Sequence, residues 1–169
     1  FIQQLLTRLT PNPQSPILRQ AQDRFANLPD RFLAVVGPSG SGKSSVVKAG
    51  LIPALRQGAV PGSENWFIVE MTPGTQPLTE LETALMPVAV NPPPSLLEPL
   101  QKDEHGLMRV LKRILPVNEQ GERSQVLLLI DQFEELFTLV EDEIERLHFL
   151  DSLLAALADP LCQLRVIVT

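Results

Sequence analysis

The sequence predicts an α/β fold built on a parallel sheet, and three observations carry that prediction. Short apolar runs alternate with amphipathic stretches along the chain; one run, Phe32-Leu33-Ala34-Val35-Val36, leads straight into a glycine-rich loop; another, Val126 to Ile130, ends on the carboxylate of Asp131. Apolar strands alternating with helices give a parallel sheet covered on both faces, with ligands beyond the carboxyl ends of its strands. A chain of 169 residues, 44% of them apolar, suffices for one such domain with a real core, and a second full domain is not expected.

Composition narrows the functional classes. With 14 basic and 20 acidic residues the net charge is −6, which argues against general nucleic-acid binding, because that needs a clustered basic face. A nucleotide needs only local positive charge. The lone cysteine, Cys162, excludes an internal disulfide framework and points to a reducing compartment; beside an apolar run it reads as a small buried filler. No apolar run approaches the roughly 18 residues of a membrane span, and no basic-then-apolar leader opens the chain, so a cytoplasmic protein without membrane contact is expected. The chain starts inside a helical pattern and stops on a strand, as a truncated domain would.

Taken in order, Ile2, Leu5, Leu6 and Leu9 follow helical spacing, so Phe1 to Leu9 reads as an amphipathic helix. Thr10 to Pro16 is proline-rich and reads as a loop, and Gln20 to Leu28 as a short helix before the strand at Phe32 to Val36. That strand, apolar throughout, is expected to be central and covered on both faces. Ser44 to Gly50 should be helical, with Val46 and Val47 toward the sheet and an end or kink at Gly50 and Pro53. Trp66 to Met71 is the second strand, with Trp66 a core or edge anchor. Leu78 to Met86 reads as a helix whose Thr79 and Glu82 could form a capping box, and proline-rich Pro87 to Pro99 as a long mobile connection. Gly106 to Leu115 is a helix with Leu107, Val110, Leu111 and Ile114 on one face and a solvated basic face of Arg109, Lys112 and Arg113. After a turn at Val117 to Gln125 come the strand ending at Asp131, helical Gln132 to Val140, a second helix from Glu141 to Leu157, and a fourth strand, Leu164 to Val168. His105 reads as an ordinary surface residue, and His148, among alternating polar positions, as unremarkable.

The chemistry resides in Gly37-Pro38-Ser39-Gly40-Ser41-Gly42-Lys43-Ser44, which matches the phosphate-binding pattern G-x-x-x-x-G-K-[ST] in the strand, loop, helix setting the pattern requires. A triphosphate is enclosed by inward-pointing backbone N–H groups, and three glycines remove side chains that would obstruct it. Lys43 supplies a mobile positive charge for the β- and γ-phosphates, Ser44 a hydroxyl for Mg²⁺, and the following helix its N-terminal dipole. Asp131, at the end of an apolar strand, stands where such a site needs its second metal-side group, the Walker B carboxylate. Hydrolysis also needs a group to orient water. In many P-loop ATPases a Glu directly follows the Asp; here that position is Gln132, and the available acids are Glu134 and Glu135. On a helix starting near Gln132, with Phe133, Leu136 and Phe137 inward, Glu134 lies on the flank and Glu135 opposite the core. The choice between them stays open.

Asp131-Gln132-Phe133-Glu134-Glu135-Leu136-Phe137 resembles the Walker B segment of the STAND group of P-loop NTPases, in particular the bacterial novel STAND branch. The run from Gly37 through Ser44 and Ser45, continuing to Ala49-Gly50-Leu51-Ile52-Pro53-Ala54-Leu55, is similar to that branch's loop and helix, and the Asp131 to Glu135 spacing resembles the D-G-x-D-E form of NACHT domains. The resemblance implies a three-layer core with strand order 5-1-4-3-2, the fifth strand lying outside this chain. The strand ending at Thr169 would lie between the phosphate-loop strand and the Asp131 strand, with Thr169 near the γ-phosphate. It implies an ATP- and ADP-binding, Mg²⁺-dependent, slow ATPase acting as a signalling switch. Fused WD or tetratricopeptide sensor repeats, an effector and ATP-dependent homo-oligomers are further implications. An arginine-containing segment expected after the last strand, and a Gly-Arg segment expected before the first helix, are not in the sequence.

Other users of the same loop fit less well. An ABC transporter ATPase would carry L-S-G-G-Q and a Glu beside the Asp, guanylate kinases hold GMP with tyrosines, of which there are 0, and GTPases show N-K-x-D. The alternative from another class is a nucleotide-dependent scaffold that binds ATP or ADP without useful hydrolysis, which Gln132 favours and Glu134 and Glu135 oppose.

Overall fold

The computed structural model describes residues 31–117, 121 and 123–169; the helices expected at Phe1 to Leu9 and Gln20 to Leu28, and the loop between them, lie outside these. Four strands, β1 (Phe32–Ala34), β2 (Phe67–Met71), β3 (Val126–Ile130) and β4 (Leu164–Val168), form one parallel sheet in the order β1-β4-β3-β2. Because all three pairings are parallel, each connection crosses a face of the sheet. β3 is wholly buried, as its unbroken apolar run requires. β1 was expected to be central and fully covered. It is instead the outermost described strand, its three residues only half-buried.

Alternation along the strands sends side chains to two apolar layers. Val126, Leu128 and Ile130 of β3, with Val166 and Val168 of β4, face one layer. It is completed by α3 (Pro77–Leu85), α5 (Gly106–Ile114) and α7 (Glu143–Ala158), through residues such as Leu81, Leu111 and Phe149. Leu127, Leu129 and Ile167 face the other layer, against Val47, Ile52 and Leu55. Those three residues belong to one helical stretch made of α1 (Lys43–Val46), a π turn (Val47–Leu51) and α2 (Ile52–Arg56). The expected end or kink at Gly50 and Pro53 takes the form of this π turn, and Pro53 is the second residue of the α-helical segment that follows it. Val47 is buried, whereas Val46 is 47% exposed and does not face the sheet; one residue is a 100° step around a helix, so neighbours cannot share a face.

The proline-rich connection is more ordered than its composition suggests. It holds a single 3₁₀ turn (Met86–Val88) and a short helix, α4 (Leu97–Gln101), pinned by the fully buried Leu96 and Leu100. No capping box forms at α3. Glu82 instead reaches forward, its Oε1 accepting from Ser95 Oγ at 2.6 Å and from the backbone N–H groups of Leu96 and Leu97 at 2.5 and 3.0 Å. These are the donors a helix start leaves unsatisfied. Gly106, opening α5, is required by close packing: a Cβ there would lie 2.7 Å from Leu100 O and closer still to Pro99 O. The expected basic face of α5 is partly engaged, Arg109 with Asp103 at 2.9 Å and Lys112 with Asp159 at 3.3 Å. His148 is half-buried, its Nε2 donating to Leu100 O at 2.8 Å. At the far end of α7, Arg31 donates to the carbonyls of Leu157, Asp159 and Cys162 at 2.7, 2.9 and 2.5 Å, closing the helix against the entry to β1.

Candidate functional site

All the site residues singled out in the sequence lie at the carboxyl end of the sheet, because β1 delivers the glycine-rich loop and β3 delivers Asp131 to that edge. Within the loop, Gly42 directly precedes α1 with φ +83° and Gly40 has φ +75°, and neither has an atom within 4 Å of the position a Cβ would take. Only glycine takes this conformation without strain, and the open space leaves room for an anion against the backbone. Ser41 N–H donates to Pro38 O at 3.2 Å and Val46 N–H to Gly42 O at 2.9 Å, which closes the loop and starts the helix. Ser39 and Ser45 are exposed on either side. Lys43 turns back over the loop, its Nζ donating to Gly37 O at 3.0 Å and Pro38 O at 3.3 Å.

Across the loop, Asp131 is buried and collects four donors. Its Oδ1 accepts from Ser44 Oγ at 2.6 Å, Thr169 Oγ1 at 2.5 Å and Gln132 N–H at 3.1 Å, while Lys48 Nζ stands 2.8 Å from Oδ2. Burial would raise the Asp131 pKa; the hydrogen bonds from Lys48, Ser44 and Thr169 and the Lys48 charge outweigh it and hold the carboxyl at about 2. Lys48 is raised in turn, chiefly by its hydrogen bond to Asp131, with burial opposing, and its ammonium also lies 3.6 Å from Glu70 Oε2.

The two acids separate clearly. Asp131 N–H bonds Met71 O, Phe133 N–H bonds Thr169 O, and Gln132 between them has φ +54°, a left-handed turn that re-aims the chain before α6 (Glu135–Thr138) starts. Glu134 is exposed; Glu135 is half-buried and its Oε2 accepts from Gly74 N–H, in the loop after β2, at 3.3 Å. The helix begins three residues later than expected, so Glu135, placed opposite the core by a helix starting at Gln132, turns inward instead. Gln132 is itself exposed.

Lys48 is a site residue that the sequence reading passed over. Its signal was available: it lies four residues after Ser44, one turn along the same helix face. Glu70 had no comparable signal, since only the pairing of β2 with β3 brings it to the Lys48 ammonium.

Among the described residues no cluster of three or more His, Cys, Asp or Glu is placed to hold a metal ion. One hydroxyl and one carboxylate 2.6 Å apart are nevertheless hard oxygen donors of the kind suited to Mg²⁺, which retains waters and takes its remaining ligands from substrate phosphates. Among the described residues, no helix is long and apolar enough to cross a membrane.

A parallel sheet whose glycine-rich loop enters a helix beside a strand-terminal aspartate defines a P-loop NTPase-type core. The family model described as Novel STAND NTPase 1 matches residues 2–169, and the chain belongs to that family. Neither the curated proteins nor the solved structures gave a match.

Proposed function

We propose that this chain binds ATP or ADP with Mg²⁺ as the nucleotide switch of a STAND-type signalling ATPase, and that the intact protein hydrolyses ATP slowly. The observation that carries the reading is the convergence of the Ser44 and Thr169 hydroxyls, from two different elements, on Asp131 Oδ1 beside the glycine-rich loop. In this reading Lys43 leaves the carbonyls of Gly37 and Pro38 for the β- and γ-phosphates, while backbone N–H groups of the Gly37 to Ser45 segment, all but that of Pro38, which has none, enclose them. Ser44 and Asp131 hold the metal, whose chemistry is to neutralise charge on the transferring phosphoryl group. Glu135, half-buried and bonded to the Gly74 N–H, orients the attacking water, and Glu134 stays in solvent.

The test is steady-state phosphate release from the full-length protein. A slow rate abolished by Lys43→Ala supports hydrolysis at this site; a rate unchanged by that substitution overturns it. Gln132, exposed where many P-loop ATPases place a Glu, favours the second reading, a scaffold that binds without turnover. Nucleotide binding with no Lys43-dependent phosphate release would select that reading.

A further inference from the structure

Lys48 has no part in the loop pattern, yet it makes the strongest charge contact at the site. Asp131 divides its two oxygens: Oδ1 is filled by Ser44, Thr169 and the Gln132 N–H, and Oδ2 faces Lys48 Nζ at 2.8 Å. A cation approaching Asp131 therefore meets a cation already there. Lys48 also has somewhere to go, for Glu70 Oε2 lies 3.6 Å from the same ammonium and both Lys48 and Glu70 side chains are 43% exposed, whereas Asp131 is 12% exposed. Lys48 lies within the π turn, a wider turn than its α-helical neighbours and one found preferentially at functional positions.

Resting on the nucleotide reading above, we infer that Lys48 is a built-in competitor for Mg²⁺ at Asp131. In the empty site it neutralises the carboxylate; when metal and nucleotide enter, it moves to Glu70. Lys48 is thus a positioning residue that sets how much Mg²⁺ the switch requires, and Glu70 is the acceptor that allows the exchange. A charge-assisted contact of this geometry, partly screened by solvent, corresponds to about a five- to tenfold change in the metal requirement.

The experiment is ADP binding by full-length protein across a Mg²⁺ titration, with ADP affinity in EDTA as the reference. Lys48→Met is expected to lower the Mg²⁺ concentration at half-effect about five- to tenfold, measured against the same variant's ADP affinity in EDTA. Glu70→Gln, which removes the acceptor and keeps Lys48 on Asp131, is expected to raise it. A Mg²⁺ requirement that Lys48→Met leaves unmoved or increases overturns the inference while leaving the nucleotide reading intact. A wild-type protein that binds no ADP under either condition overturns both.

Discussion

Asp131 is a buried carboxylate held ionised by four donors, and the roles of its neighbours follow from which oxygen each one serves. Thr169 and Ser44 share Oδ1, so either hydroxyl keeps that oxygen satisfied while the other turns to a ligand. Gln132 occupies a left-handed conformation that costs a non-glycine residue roughly 1–2 kcal/mol, and after the turn it makes Glu135 is half-buried against the Gly74 N–H while Glu134 is exposed. Turnover should therefore discriminate between the acids. Glu135→Gln is expected to keep ATP affinity and lower phosphate release by about a hundredfold, the usual contribution of a positioned acid–base group, whereas Glu134→Gln should leave the rate within about twofold of wild type, as for an exposed side chain. Single-turnover assays beside equilibrium binding separate the two effects. The sequence leaves the two acids equivalent, since what separates them is the φ of Gln132 and a contact from the loop after β2.

Elements were legible where one physical signal dominated. The apolar runs of β3 and β4 end where the structure ends them; β3 has no polar position that could blur its limits, and β4 has one, the half-buried Arg165, inside the run rather than at its end. The amphipathic face of α5 is likewise the face that packs. Legibility failed where partners distant in sequence decide the outcome. The connection rich in proline reads as loose, yet Glu82 caps α4 from 13 to 15 residues away and Gly106 lets α5 start against the carbonyls of Pro99 and Leu100. Gly106→Ala should accordingly destabilise the protein by about 2 kcal/mol, since the atoms a methyl would strike are backbone and cannot rotate away. Chemical denaturation reads this directly. An Ala variant as stable as wild type would mean that α4 and α5 can separate without loss. The π turn was equally hidden, as nothing in Ala49-Gly50-Leu51 distinguishes it from a kink.

At the scale of the molecule, the sheet connects sites far apart in sequence. β4 between β1 and β3 brings Thr169 to Asp131, while at the opposite end of β4 Cys162 is sealed beneath the close of α7. Burial, with the nearby Asp159 charge, pushes the Cys162 thiol up from 9.0 to about 11. A folded-state pKa raised above the unfolded value contributes stability that is complete below about pH 9 and is lost between there and about pH 11, as the unfolded chain gains by ionising first. Native protein at pH 8 should thus resist alkylation by iodoacetamide and react fully in denaturant, with resistance fading toward pH 11. Rapid labelling of native protein at pH 8 would contradict the sealed packing. The sequence foresaw the buried filler, but only the meeting of α7, Arg31 and β4 explains why it stays buried.

The central claim is that the glycine-rich loop and Asp131 form one nucleotide site, and equilibrium titration of full-length protein with ATP in Mg²⁺ tests it most directly. Wild-type protein should bind at a single site, and Lys43→Ala should weaken that binding at least about tenfold, the loss of a charge-assisted contact of about 1.5 to 3 kcal/mol. Equal affinity in the two proteins, or no binding by wild type, would contradict the account.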